Sequence, residues 1–134
     1  MRLFIDTNIF LDLLLKRDNY KDSLKTINSI VDGKYEAVVL DITILNIDYV
    51  AKKQVKNIRD FLKLVTQYFV IIGATNIEIT QALELKNSDL EDNLQYISAL
   101  KSSCDIIISN DKNFYSHKLE VLTSSIFSKR YLGA

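Results

Sequence analysis

The chain has 134 residues, 48% of them hydrophobic and 25% charged, with seventeen basic residues balancing seventeen acidic ones. That is one ordinary soluble core, and the zero formal net charge excludes a passive binder drawn to nucleic acid by a global positive field. The single cysteine, Cys104, excludes an intramolecular disulfide or a cysteine-built zinc site.

The first stretch with character is Arg2-Leu3-Phe4-Ile5-Asp6-Thr7-Asn8-Ile9-Phe10. Leu3–Ile5 reads as a short strand buried on both faces. It halts at a carboxylate, a hydroxyl and an amide, and a helix follows over Ile9–Leu15. A second helix is predicted over Tyr20–Val31, with Leu24, Ile27, Ile30 and Val31 inward and Asp32-Gly33-Lys34 as its stop. Ala37–Leu40 is the second strand, followed by a helix over about Ile44–Lys53. An amphipathic helix over about Val55–Tyr68 carries Val55, Ile58, Leu62, Val65 and Phe69 at helical spacing.

Phe69–Ile72 is the third strand. Asn76–Lys86 is helical, with Ile79, Ala82 and Leu83 inward. Ser88-Asp89-Leu90-Glu91 has the pattern of a capping box and opens a helix running to about Ser103. Asp105–Ser109 is the fourth strand, Leu119–Leu122 a candidate fifth, and Thr123 caps a last helix. Ile126, Phe127, Tyr131 and Leu132 in that helix either form an apolar contact patch or pack it onto the sheet.

Strands alternating with helices predict an α/β fold, a three-layer α/β/α sandwich on a mostly parallel sheet of about five strands. No linker or repeat interrupts it, so residues 1–134 read as a single domain. Isolated Gly33, Gly73 and Gly133 cannot build a Gly-rich phosphate loop. No apolar run approaches membrane-spanning length, and Leu3–Ile5 is too short for a signal-peptide core. With one cysteine, this predicts a cytoplasmic protein without a membrane partner.

In an open α/β sheet, ligands sit just past the carboxyl ends of the strands. Asp6 follows the first strand, Asp111 follows the fourth, and Asp92 stands in the first turn of the preceding helix, so three carboxylates are expected at one rim. Each has an ordinary local reading: Asp6 fills a polar turn, Asp92 answers the helix dipole, Asp111 sits in a loop. Together they would repel unless a cation joined them. Hard ions such as Mg²⁺ or Mn²⁺ prefer such oxygens, and the chemistry they support includes phosphodiester hydrolysis.

Three motifs, Phe4-Ile5-Asp6-Thr7-Asn8, Asp92-Asn93-Leu94-Gln95-Tyr96 and Ser109-Asn110-Asp111-Lys112-Asn113-Phe114, occur in the order found in PIN-domain ribonucleases, which this chain resembles over nearly its whole length. The resemblance implies a five-stranded parallel sheet and a Mg²⁺- or Mn²⁺-dependent endoribonuclease. It also implies metal-site roles for Asp6, Asp92 and Asp111, and supporting roles for Thr7, Asn8 and Ser109. Small PIN toxins are similar in being dimers inhibited by a cognate antitoxin, so RNA, an antitoxin and a second copy are the partners implied.

The family's glutamate after the second strand is replaced here by Asn46, which brings no charge. Asp48 is a candidate substitute, although two residues along a helix turn it by about 200°. Glu91 is another. A lost ligand charge predicts weaker metal binding and supports an alternative, a degenerate PIN domain that binds RNA or a protein without cleaving. A haloacid-dehalogenase-type phosphatase wants a second acid where Asn8 stands, and a receiver domain wants an acid pair near the first strand, which this chain lacks. Lys52, Lys56, Arg59 and Lys63, at 4-3-4 spacing, are a candidate RNA-backbone stripe or simply the solvated face of a helix.

Overall fold

An uninterrupted apolar strand has no side to show to water, so it belongs mid-sheet with both faces covered. In the computed structural model, which describes residues 1–133, β1 (Arg2–Ile5) takes that place. The sheet runs β3–β2–β1–β4–β5 with every pair parallel; β2 is Glu36–Leu40, β3 Val70–Ile72, β4 Ile106–Ile108 and β5 Glu120–Leu122. Leu3 lies level with Ala37 on one side and Ile106 on the other. The helices among the described residues are α1 (Thr7–Leu14), α2 (Tyr20–Val31), α3 (Asp41–Ala51), α4 (Ile58–Tyr68), α5 (Asn76–Glu84), α6 (Leu90–Lys101) and α7 (Ser124–Tyr131).

Side chains alternate across each strand, and this divides the core in two. Leu3, Ile5, Val39 and Ile108 pack with Phe10, Ile27, Ile47, Val65 and Phe127 from α1, α2, α3, α4 and α7. Phe4, Val38, Leu40 and Ile107 pack on the other face with Tyr96 and Ala99 of α6. Phe10 meets Phe61 and Phe69 edge-on, with ring centroids 6.2 and 5.4 Å apart. Phe127 is buried in the first cluster with Leu132 against it, while Ile126 and Tyr131 are exposed, so part of the last helix is packing and part is free surface.

Four local expectations are corrected. The fourth helix begins at Ile58, because the chain turns over Lys52–Asn57, with Gln54 and Val55 both donating to the Ala51 carbonyl. Leu24 is exposed rather than inward. In α5 the buried residues are Glu78 and Ala82, while Ile79 and Leu83 are 42% and 63% exposed, because α5 packs on α6 rather than on the sheet. The cap of α6 is Asp89, whose side chain accepts from the Asp92 amide, so Glu91 is not the closing member of a box opened by Ser88.

From β1 the strand order runs outward to β2 and β3 on one side and to β4 and β5 on the other. The crevice outside the carboxyl ends of β1 and β4 is the switch point, where open α/β sheets place their ligands.

Candidate functional site

Asp6 is the first residue past β1. Its N–H donates to the Ile108 carbonyl at 3.0 Å, and Ser109 N–H donates to Leu122 at 2.9 Å, so the ladder carries both residues to the rim side by side. Asp6 is 2% exposed and precedes α1, yet its side chain makes no cap. Gln95 Nε2 donates to Oδ1 at 2.9 Å and Ser109 Oγ to Oδ2 at 2.8 Å. Burial raises its pKa from 3.8 to about 6; Gln95 and Ser109 oppose this by favouring the charged form, and the Glu91 charge adds to the rise.

The first turn of α6 supplies further acids. Asp89 Oδ1 accepts from Asp92 N–H at 3.0 Å, which fixes the N-cap beside the buried Asp92 carboxyl. Across the crevice, Asp111 N–H donates to Ser109 Oγ at 3.1 Å, and Asp111 Oδ1 accepts from Asn113 N–H at 2.9 Å. Ser109 thus touches both Asp6 and Asp111. One carboxylate oxygen from each of Asp89, Asp92 and Asp111 lies within 4.8 Å of the others. Burial first, then the charges of Asp6, Asp89 and Asp111, raise Asp92 from 3.8 to about 8, and a hydrogen bond to Asp111 that Asp92 makes only while protonated adds to the rise.

The α3 side of the crevice is built from uncharged groups and Glu91. Thr7 and Thr43 hydroxyls lie 2.8 Å apart, Thr7 Oγ1 donates to Glu91 Oε2 at 3.2 Å, and Asn46 Nδ2 donates to Glu91 Oε1 at 3.0 Å. Asn8 is half-buried in α1, and its backbone N–H favours the charged form of Asp6. Asp48 turns away and pairs with Arg59 at 3.5 Å. Lys52 and Lys56 lie in the turns before α4 and Arg59 and Lys63 lie within it, all exposed, so the four do not share one helical stripe. Tyr96 is buried, its hydroxyl accepting from Lys118 N–H at 3.0 Å, while Tyr49 is exposed.

Sequence reasoning missed Gln95, Asp89 and Asn110 as parts of this rim. Gln95 and Asp89 both stand three residues from Asp92, on its side of the helix. Asn110 Oδ1 accepts from Ser124 N–H and Oγ, both at 2.9 Å, and its Nδ2 donates to Asp12 at 2.7 Å, tying the loop that carries Asp111 to α1 and α7.

The buried acids fall into two groups. Asp12 and Glu78 have cationic partners, Arg17 at 3.5 Å and Lys101 at 2.9 Å. Asp6 and Asp92 have none among the described residues. A buried carboxylate without a counter-charge is unfavourable, and the donors at this rim are all carboxylate oxygens, the set suited to a hard divalent ion.

Fold and rim together define an all-parallel α/β protein with acids gathered at its switch point. Comparison with known proteins narrows this class. The PIN domain family profile matches residues 2–113. Ribonuclease VapC1 of Aquifex aeolicus (strain VF5) is 36% identical over 137 aligned residues, covering 97% of this chain and 95% of the relative. The chain belongs to the PIN-domain family. Among solved structures, a toxin–antitoxin complex from Klebsiella pneumoniae shares the fold with a TM-score of 0.69 at 19% identity, covering 91% of this chain and 97% of that one. VapBC2 from Rickettsia felis, bound to a promoter DNA fragment, does so with a TM-score of 0.66 at 14% identity, covering 92% and 98%.

Proposed function

We propose that residues 1–134 form one PIN domain that hydrolyses RNA phosphodiester bonds with a Mg²⁺ or Mn²⁺ ion held by Asp6, Asp92 and Asp111, joined by Asp89. The observation that carries this reading is the contrast between the paired acids Asp12 and Glu78 and the unpaired, buried Asp6 and Asp92. The 36% identity to a protein named Ribonuclease VapC1 supports RNA as substrate. When bound, such an ion supplies Lewis acidity and lowers the pKa of water.

The chain's own residues prepare the place. Gln95 and Ser109 hold both oxygens of Asp6 by neutral hydrogen bonds, which orient the carboxylate without cancelling its charge. Ser109 also fixes the Asp111 amide, so the two strand-end acids keep a constant spacing. Burial first, and then the charges of Asp6, Asp89 and Asp111, push Asp92 up to about 8, so its charged form gains from a cation at the rim. Thr7 and Asn46 brace the opposite wall through Glu91, and Asn8 supports Asp6 through its backbone N–H. Lys52, Lys56 and Lys63 are exposed without ion-pair partners among the described residues, so RNA-backbone contact falls to them before Arg59, which is engaged by Asp48.

We further infer that the protein is the toxin of a toxin–antitoxin pair, working in the cytoplasm as a homodimer with an antitoxin as inhibitor. Its likeness to a VapC protein and the family resemblance support this. The test is Mn²⁺ binding by calorimetry and RNA cleavage, on wild type and Asp6→Asn in parallel. Binding and cleavage fall together in the variant if the reading holds. A wild-type chain that neither binds Mn²⁺ nor cuts RNA overturns it in favour of a non-cleaving binding module, the outcome that the uncharged Asn46 would explain.

A further inference from the structure

Asp89, Glu91 and Asp92 crowd one helical turn, but they do not face one way. Successive residues on a helix diverge by about 100°, so Glu91 and Asp92 are presented to different walls of the crevice. Asp92 meets Asp111, whereas Glu91 reaches α1 and α3.

Glu91 is held there by a directed set of donors. Asn46 Nδ2 donates to Oε1 at 3.0 Å and Thr7 Oγ1 donates to Oε2 at 3.2 Å. Thr7 has one hydroxyl proton, so with that proton on Glu91 the 2.8 Å contact between the threonines runs from Thr43 to Thr7. Both threonines are buried, at 4% and 0% exposure. Three neutral side chains from two helices are therefore committed to a single carboxylate. They orient it and leave its charge intact, for no lysine or arginine pairs with Glu91 among the described residues.

An acid in the first turn of a helix interacts favourably with the dipole while pointing into water. Folding it back against a threonine pair and an asparagine is not needed for that purpose. Each oxygen uses one acceptor position here and keeps another, and its partner Thr7 is the residue that directly follows Asp6.

We propose that Glu91 is a further acid of the cation site, presented from α6 to its α3 wall and positioned there by Asn46, Thr7 and Thr43. This rests on the reading of the rim as a divalent-cation site. It assigns the missing negative charge on that wall to the neighbour of Asn46, one hydrogen bond away.

The test uses the full chain and Mn²⁺ alone, read by calorimetry and by the rise in Tm that Mn²⁺ produces, with RNA cleavage alongside. Glu91→Gln weakens Mn²⁺ binding by roughly tenfold or more, while its Tm in EDTA does not fall. The exchange Asn46→Glu with Glu91→Gln returns the charge to the same contact and recovers most of the lost affinity, and Glu91→Asp retains part of it. If Glu91→Gln binds Mn²⁺ like wild type while Asp92→Asn does not, Glu91 lies outside the site and this inference alone fails. An exchange variant that folds, by circular dichroism, yet stays as weak as Glu91→Gln also overturns it. Absence of Mn²⁺ binding in wild type overturns the cation-site reading and this inference with it.

Discussion

Asp92→Asn offers the sharpest physical test of the rim, because it should make the metal-free protein more stable. The side chain keeps its shape and loses its charge. In the wild-type fold the Asp92 pKa rises from 3.8 to about 8, chiefly through burial and then through Asp6, Asp89 and Asp111. A pKa raised on folding means that the native state binds the extra proton. Stability from this group is therefore complete below the unfolded value and declines as pH rises toward the folded one. The slope is about 1.4 kcal/mol per pH unit, so between pH 3.8 and neutrality the loss is on the order of 4 kcal/mol. Relaxation and water penetration at the rim as Asp92 ionises recover part of this, which brings the figure to about 2 kcal/mol. Asp92→Asn escapes that loss. In urea or thermal unfolding with EDTA, it gains about 2 kcal/mol over wild type at pH 8, or roughly 6–10 °C in Tm, and the gain vanishes near pH 4. Mn²⁺ reverses the ranking by stabilising wild type only. An Asn variant no more stable than wild type at pH 8 in EDTA refutes the claim that the rim is an uncompensated charge cluster.

Three further outcomes follow from the same contacts. Gln95→Leu removes the only side-chain donor to Asp6 Oδ1 among the described residues, and Mn²⁺ affinity measured by calorimetry falls between about tenfold and a hundredfold. Asn110→Ala leaves Asp12 and both Ser124 groups short of a partner; denaturant unfolding shows a cost of about 2 kcal/mol, with weaker Mn²⁺ binding as the Asp111 loop loosens. The Glu78 pKa is lowered from 4.5 to about 2, first by Lys101 and then by Thr75. Its contribution is present above the unfolded value and is lost as pH falls from 4.5 toward 2, so Glu78→Gln flattens that part of an acid-unfolding curve.

Much of this was legible in the sequence because period-2 and apolar-run signals are local. Leu3–Ile5 has no polar face, so its central position follows, and with it the place of Asp6 at the rim. The acids after the first strand, in the sixth helix and after the fourth strand then converge by topology alone. What escaped depended on choices between equal local options. Ser88–Glu91 and Asp89–Asp92 both satisfy a capping pattern; the structure takes the second, which frees Glu91 to reach α3 and makes Asp89 a rim acid. The lysine stripe rested on helical spacing carried through Lys52–Asn57, where the chain turns. Ile79 and Leu83 read as inward because periodicity reports an amphipathic helix without saying which neighbour covers it. Gln95 was hidden by its type, since a buried glutamine carries no signal until the acid it holds is known.

The hydrogen-bond donors of the rim explain why these acids stay available. Outside it, the two other buried acids are paired, Asp12 with Arg17 and Glu78 with Lys101, and the half-buried Asp48 pairs with Arg59. At the rim every side-chain donor among the described residues is neutral: Gln95 and Ser109 on Asp6, Asn46 and Thr7 on Glu91. Neutral donors set direction without supplying counter-charge, so burial first, and then repulsion from neighbouring acids (Glu91 on Asp6; Asp6, Asp89 and Asp111 on Asp92), keep the pKa values of Asp6 and Asp92 raised in the folded chain. An arginine in place of Gln95 would relieve that repulsion and occupy the space between the acids. The arrangement found leaves the charge uncancelled and the oxygens held at fixed separations, which is the condition under which a small divalent cation gains most from entering.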